Sequence, residues 1–376
     1  MSKRSDKKKK RIVISVTNDL VTDQRVNRIA TTLYNNNYDV LLVGRKLRKA
    51  YAIDRSYKTK RFQLIFRKKA VFYAEFNIRL FFFLLFVKAD IFLSNDTDTL
   101  PANFLASKIR RKKLVFDAHE MFPEVPEVIG RLRVKKIWVK FENMFFPKLK
   151  TCYTVCQSIA DYYNDKYNIN MQVVRNISVY KPLENIEKKI KKTDKKILLY
   201  QGAVNIGRGI EWVIDAMPYL EEAVFYIAGG GDILQQLLTY VSKKNLNDRV
   251  IFLGRIPFED LNEYTISADL GVSLLENKGL NYYYSLPNRI FDFMHAQVPV
   301  LATDFPEIRK VLTEAGTGEL IDCYEPQYLA GKIKETLQKW ENKADKEKIF
   351  EKARAKFNWE EEEKKLLKIF KQLEEE

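Results

Sequence analysis

Three cysteines, two histidines and no long apolar run narrow the possibilities for this 376-residue chain before any motif is read. Cys152, Cys156 and Cys323 form neither a CxxC pair nor a disulfide framework, which suits a reducing compartment. His119 and His295 are too few for a His-rich metal site, so no metal is expected. The longest apolar run, Leu80–Val87, has eight residues between Arg79 and Lys88, far short of the roughly 20 that span a bilayer. At the N-terminus, basic MSKRSDKKKKR leads into about six apolar residues, fewer than the h-region of a secretory signal, and the expectation is a cytoplasmic protein.

The chain is 46% hydrophobic and 30% charged, a globular composition, and its length accommodates two domains. Its net charge of +16 is gathered at Lys3–Arg11, Arg67–Lys69, Arg110–Lys113, Arg131–Lys136 and Lys188–Lys196. Such a charge favours nucleic acid, acidic lipid or phosphorylated ligands. No helix-turn-helix, zinc-finger or RNP pattern specifies nucleic acid, so a membrane surface or phosphate ligand is the better expectation.

Strand-like runs alternate with helical patterns from end to end. RIVISV (11–16), YDVLLVG (38–44), FQLIF (62–66), ADIFLS, KKLVFD and KTCYTV form a first series; KILLYQG (196–202), VFYIAGG (224–230), RVIFLG (249–254), ADLGVSLL (268–275) and VPVLAT (298–303) form a second. Short apolar strands alternating with helices mean parallel sheets covered on both faces. The expected organisation is an α/β fold with two doubly wound, Rossmann-like domains facing a cleft: 1–180 with a basic tail at 1–10, a charged linker at 181–196, a second domain at 197–345 and a C-terminal helix at 346–376. Ligands of such sheets bind at the carboxyl ends of the strands.

Three stretches place chemistry there. In SLPNRIFDFMHAQVPV (285–300) a helix from Pro287 to about Ala296 puts Asn288, Asp292 and His295 on one stripe among apolar neighbours. That stripe either reaches solvent or lines a cleft. YQGAVNIGRGI (200–210) leaves a strand through Gly202, Gly207 and Gly209 and enters a helix beside Arg208; such a turn fits phosphate, and it fits a tight βα connection equally. Gly230, in the triplet after the next strand, marks a second close approach. In the first half, DAHE (117–120) ends a strand, where neighbouring acids would set the protonation of His119, or where the histidine is simply structural.

Taken together, YQGAVNIGRG, AGGG, ADLGVSLLEN and SLPNRIFDFMHAQVPVLATDFPEI resemble the nucleotide-sugar half of glycosyltransferase family 4, the group 1 glycosyltransferases of GT-B fold. ISVTNDLVTDQRV, FLSNDTDTL and DAHEMFPE resemble the acceptor half of one branch, so the resemblance spans roughly residues 11–340. It implies a retaining, metal-independent transfer from a UDP- or GDP-sugar to a glycan or polyprenyl-linked acceptor, with no cofactor beyond the donor. It implies that Asp292 accepts hydrogen bonds from ribose hydroxyls. Asn288, Arg289 and Arg208 would contact the diphosphate beside Gly202 and Gly230, and Arg208, Arg289 and His119 would serve catalysis. Glu120, Asn18, Asp19 and Arg25 would stand on the acceptor side. The chain departs from the family at Tyr284, where the first of two glutamates is expected, at Ala203, where an arginine is common, and at Gln297 in place of glycine.

Two other readings stay open: a nucleotide-sugar epimerase of the same architecture, which needs paired acids, and a non-catalytic basic protein that binds membrane or glycan. The GxGxxG of a nicotinamide enzyme is missing after the first strand, where TNDLVTD stands. The segment RKKAVFYAEFNIRLFFFLLFVK (67–88) is apolar on more than one face as a helix. It fits either a buried helix or a peripheral contact with an anionic leaflet at the inner face of the plasma membrane.

Overall fold

In the computed structural model of the chain, residues 9–375 are described, save 22, 48–51, 185 and 192–193. The chain divides into two compact units, residues 1–176 with 362–376, and residues 177–361. The first unit is built on seven strands, β1 (Arg11–Asp19), β2 (Asp39–Arg45), β3 (Lys58–Phe62), β4 (Ile91–Asn95), β5 (Lys113–Ala118), β6 (Thr151–Thr154) and β7 (Met171–Val173). They lie in the order β3-β2-β1-β4-β5-β6-β7, every pair parallel. The second unit has β8 (Lys196–Gln201), β9 (Ala223–Ala228), β10 (Val250–Gly254), β11 (Leu270–Ser273), β12 (Val300–Thr303) and β13 (Gly318–Ile321), in the order β10-β9-β8-β11-β12-β13, again parallel.

Both orders reverse once, between β1 and β4 in the first unit and between β8 and β11 in the second. At such a switch point adjacent loops diverge to opposite faces and leave a crevice at the carboxyl ends of the strands. The crevice of the second unit is bounded by the loop after Gln201 and the loop after Ser273; that of the first by Thr17–Asp19 and Asn95–Asp98.

Several expectations change. FQLIF is not the third strand: β3 is the preceding KTKRF, paired with Leu41–Arg45. The Glu75 carboxylate accepts the backbone N–H groups of Ile65 and Phe66 at 3.0 and 2.8 Å, which takes these residues out of the ladder. Within the stretch 181–196, residues 189 and 190 are bonded to the second unit. There Lys189 N–H donates to Glu263 O, and buried Ile190 donates to Ser267 Oγ, both at 3.2 Å. Of the basic tail at 1–10, only Lys9 and Lys10 fall within the described residues.

The C-terminal segment 346–376 is two helices, Lys346–Lys356 and Trp359–Glu375. The break is explained by Asn358, whose side chain accepts the Glu361 N–H at 2.9 Å and caps the second helix. Leu366, Ile369, Phe370 and Leu373, spaced i, i+3, i+4 and i+7, bury one stripe in the first unit. Phe370 packs edge-on against Tyr38 at 5.9 Å, Tyr38 Oη donates to Glu374 at 2.8 Å and Lys113 Nζ donates to Leu373 O. Phe370→Ala should therefore cost the first unit about 3–5 kcal/mol in denaturant unfolding. A change within about 0.5 kcal/mol would mean that the terminal helix contributes no core.

Candidate active site

The loop after β8 starts at Gly202, whose φ of 131° admits no side chain comfortably. Against it lies Arg289, from the helix Asn288–His295, its guanidinium 4.5 Å above the Tyr200 ring. Arg289 is only 7% exposed, and its Nη1 has no hydrogen-bond partner. Burial lowers its pKa, and Arg208 nearby lowers it further. Arg208 places its own guanidinium 4.7 Å over the Tyr282 ring. Arg208 Nε has no hydrogen-bond partner either, and neither arginine forms an ion pair among the described residues. Two adjacent cations with no acid between them, one of them buried with an idle N–H, form an arrangement that costs free energy until an anion enters.

Gly230 is placed differently. A Cβ there would meet the Arg255 side chain at 2.9 Å, so this glycine makes room for that side chain. Asn288 is exposed at the first position of its helix.

Asp292 is half-buried and both of its oxygens are engaged. Ser178 Oγ donates to Oδ1 at 2.6 Å and Gln201 Nε2 donates to Oδ2 at 3.1 Å. Thr265 Oγ1 donates in turn to Gln201 Oε1 at 2.8 Å, which fixes the amide so that its NH2 faces the acid. A cavity of about 50 Å3 opens beside them. The stripe read from the sequence splits: His295 is buried, with Nε2 at 2.7 Å from Phe357 O and its ring edge-on to Tyr180, and serves packing. Ser178, Gln201 and Thr265 escaped the sequence reading. Only Gln201, a polar residue closing an apolar strand, carried a visible signal.

The crevice of the first unit is acidic. Asp96 adopts φ 61° and accepts the His119 backbone N–H at 2.7 Å. The His119 ring is clamped, Nδ1 3.2 Å from Asp96 and Nε2 3.0 Å from Asp117 and 3.2 Å from Asn95 Oδ1. Arg25 holds Asp117 with two bonds, of 3.1 and 2.7 Å, and donates to Val174 O at 2.9 Å. Burial alone would discharge the imidazole, but Asp96 and Asp117 outweigh it and raise His119 to about 9. Burial pushes Asp96 up to about 7 against the pull of His119, and burial with Asp96 pushes Asp98 up to about 8. Asp117 is likewise disfavoured by burial, yet Arg25 and His119 bring it below the usual range. With acceptors facing both nitrogens, His119 has none free to take a proton from a substrate hydroxyl. Arg25 is a brace for Asp117, and Asp19 lies near Arg61 at 3.8 Å, whereas Asn18 is exposed and donates to Asp23.

The family described as glycosyl transferases group 1 matches residues 183–372, half of the chain. A curated relative, an uncharacterised glycosyltransferase of Methanocaldococcus jannaschii, is 26% identical over 152 residues; the match spans 39% of this chain and 37% of the relative's own length. Among solved structures, a sucrose-phosphate synthase of Thermosynechococcus elongatus is similar with a TM-score of 0.77 and 18% identity, over 97% of this chain and 99% of that one. Anabaena HepE, solved with UDP-glucose, gives 0.75 and 15% over 96% and 99%. WaaG, a glycosyltransferase of lipopolysaccharide biosynthesis, gives 0.71 and 15% over 95% and 99%. These likenesses establish the GT-B architecture of two Rossmann-like domains.

The clamp on His119 has a pH signature. A pKa raised from 6.5 to about 9 on folding contributes stability that is complete below 6.5 and is lost as the pH climbs through about 9. Asp96 and Asp98, also raised, act in the same direction over a lower range. The Tm should fall as the pH rises through about 9, and the fall should shrink in His119→Gln. A wild-type Tm that is flat across that range would show that the ring is not held charged.

Proposed function

The chain belongs to the group 1 glycosyltransferases, and on that premise we propose that its second unit binds a UDP- or GDP-sugar and its first unit a glycan or polyprenyl-linked glycan acceptor. The reaction is a retaining transfer. The bond between the anomeric carbon and the β-phosphate oxygen breaks, the nucleoside diphosphate leaves with the electron pair, and the acceptor hydroxyl oxygen forms the new glycosidic bond as its proton passes to the departing phosphate and on to solvent. The observation that carries this reading is the unpaired couple Arg208 and Arg289 at the switch point of the second sheet. Charge grows on the β-phosphate as it departs, and fixed cations aimed there stabilise the transition state without needing a metal. Asp292 would take the ribose diol with a carboxylate that Ser178 and Gln201 hold in place. His119 acts electrostatically, as a fixed positive charge, rather than as a base.

The surface of the first unit supports a lipid-linked acceptor, and with it a role in surface-polysaccharide synthesis at the cytoplasmic face of a membrane. The helix Lys69–Phe86 buries Phe72, Phe76, Leu80 and Leu84 and turns a second apolar stripe outward, with Ile78, Phe82 and Phe86 exposed by 58, 56 and 83%. Arg110 Nη1 donates to Leu84 O and Val87 O at 2.6 Å, which sets the end of the helix Leu100–Arg110, with exposed Ile109, Lys108 and Arg111, next to Phe86. Apolar side chains rimmed by cations match an anionic leaflet, to which each cation contributes roughly 1 kcal/mol. No described helix is long and apolar enough to cross a membrane, so attachment would be peripheral.

Two experiments test these assignments. A thermal-shift panel of UDP, GDP and ADP identifies the base, since a ligand at 100 times its Kd stabilises by about 2.7 kcal/mol. With that nucleotide, Asp292→Asn should raise the donor Kd at least about tenfold; unchanged affinity would deny it the ribose. Arg208→Ala or Arg289→Ala should lower kcat about 100-fold, with a smaller rise in KM. A change in KM alone would make them binding groups only. For the surface, the wild type should co-sediment with vesicles rich in phosphatidylglycerol at low salt and be released at high salt. Phe82→Ser/Phe86→Ser should abolish this without changing donor affinity. Binding that ignores lipid charge, or survives the double substitution, would refute the membrane assignment.

A further inference from the structure

A third cation stands at the same crevice. The loop after β11 is pinned to the glycine turn after β8: Glu276 N–H donates to Gly207 O at 2.9 Å, and Tyr282 Oη donates to Ile206 O at 3.4 Å. A Cβ on Gly207, whose φ is 79°, would come within 3.2 Å of both Lys278 Cδ and the Tyr282 ring, the ring that carries Arg208 on its face. Arg208, Lys278 and Arg289 thus converge on one turn, at the switch point between β8 and β11. Lys278 alone of the three has an acid, Glu276, its Nζ 3.0 Å from Oε1, in a pair whose side chains are 34 and 44% exposed.

We infer that Lys278 is a third diphosphate-binding cation, held on Glu276 until the sugar–phosphate bond breaks. The inference rests on the donor site proposed above and assigns it a division of labour. A nucleoside-diphosphate sugar carries about two negative charges, and Arg208 with Arg289 balances them. Cleavage frees a terminal phosphate, which with a second pKa of about 6 brings close to one further charge at neutral pH. Lys278 is the group free to meet it. An exposed ion pair is worth no more than about 1 kcal/mol, and a charge-assisted bond to phosphate exceeds that, so the exchange of partners runs downhill. Glu276 then competes with the product for Lys278, which favours release of the diphosphate once transfer is complete.

The test uses the full chain, the nucleoside diphosphate that stabilises the wild type, and the corresponding sugar nucleotide. Lys278→Ala should raise the Kd of the free diphosphate about tenfold and that of the sugar nucleotide about twofold or less; Lys278→Arg should restore both. Glu276→Gln, which removes the competitor, should tighten the free diphosphate by several-fold, a change of opposite sign that loss of loop packing would not produce. Equal effects of Lys278→Ala on the two ligands, no effect on either, or weaker diphosphate binding in Glu276→Gln would each overturn the inference while leaving the donor site in place. A wild-type chain that binds no nucleoside diphosphate would overturn the donor site and this inference with it.

Discussion

One backbone contact governs the geometry of the second unit. The carbonyl oxygen of Gly202 lies 1.8 Å from where a Cβ on Gly229 would stand. The loops after β8 and β9 therefore meet backbone to backbone, joined by Gly202 N–H to Ala228 O at 3.0 Å and Val204 N–H to Gly230 O at 3.2 Å. Only glycine at 229 permits that approach. The result is a low floor at the carboxyl end of β8, and the Arg289 guanidinium lies directly on it, 3.8 Å from the Cβ position of Gly202. A bulkier loop would displace the arginine. Family members commonly have an arginine directly after Gly202, where this chain has Ala203, and Arg289 occupies the neighbouring space from the side.

The two switch points solve opposite electrostatic problems. In the first unit charges of opposite sign alternate at the switch point, in the sequence Arg25, Asp117, His119, Asp96, so this network is self-neutralising and fixes loop conformation even across the left-handed turn at Asp96. In the second, Arg208 and Arg289 face each other's field with only aromatic rings beneath them. A cation over a ring recovers about 0.5–2 kcal/mol, less than the cost of burying an unpaired charge. The first arrangement maintains structure, and the second leaves positive charge uncompensated at the crevice.

How far the sequence foretold this follows from the range of the forces involved. The alternation of strands and helices, and the helix carrying Arg289 and Asp292, depend on local periodicity and were legible. β3 was misassigned because FQLIF has strand composition, and only the distant Glu75 draws its N–H groups away. The C-terminal segment was legible as helix, but the destination of its apolar stripe, the first unit, is encoded by no local pattern. Ser178 and Thr265 matter to Asp292 only through tertiary contact, across 114 residues in one case and through Gln201 in the other. Lys278 carried no signal of its own, since nothing before folding places it on Gly207.

The arginines stay unpaired for a reason that returns to Asp292. Arg289 and Asp292 are three residues apart on one helix, a spacing at which opposite charges ordinarily pair. If they paired, each would cancel the charge that the proposed donor site asks of the other. They are held apart from opposite sides. Tyr200 takes the guanidinium onto its ring, while Ser178 and Gln201 hold the carboxylate, with Thr265 locking the amide that does so. Tyr200, Ser178, Gln201 and Thr265 thus keep two mutually attractive groups separate, as the donor site proposed above requires. The same logic explains why Gln201 is buried at the end of β8. Its amide satisfies the carboxylate without adding charge, whereas a lysine there would neutralise it and a glutamate would repel it.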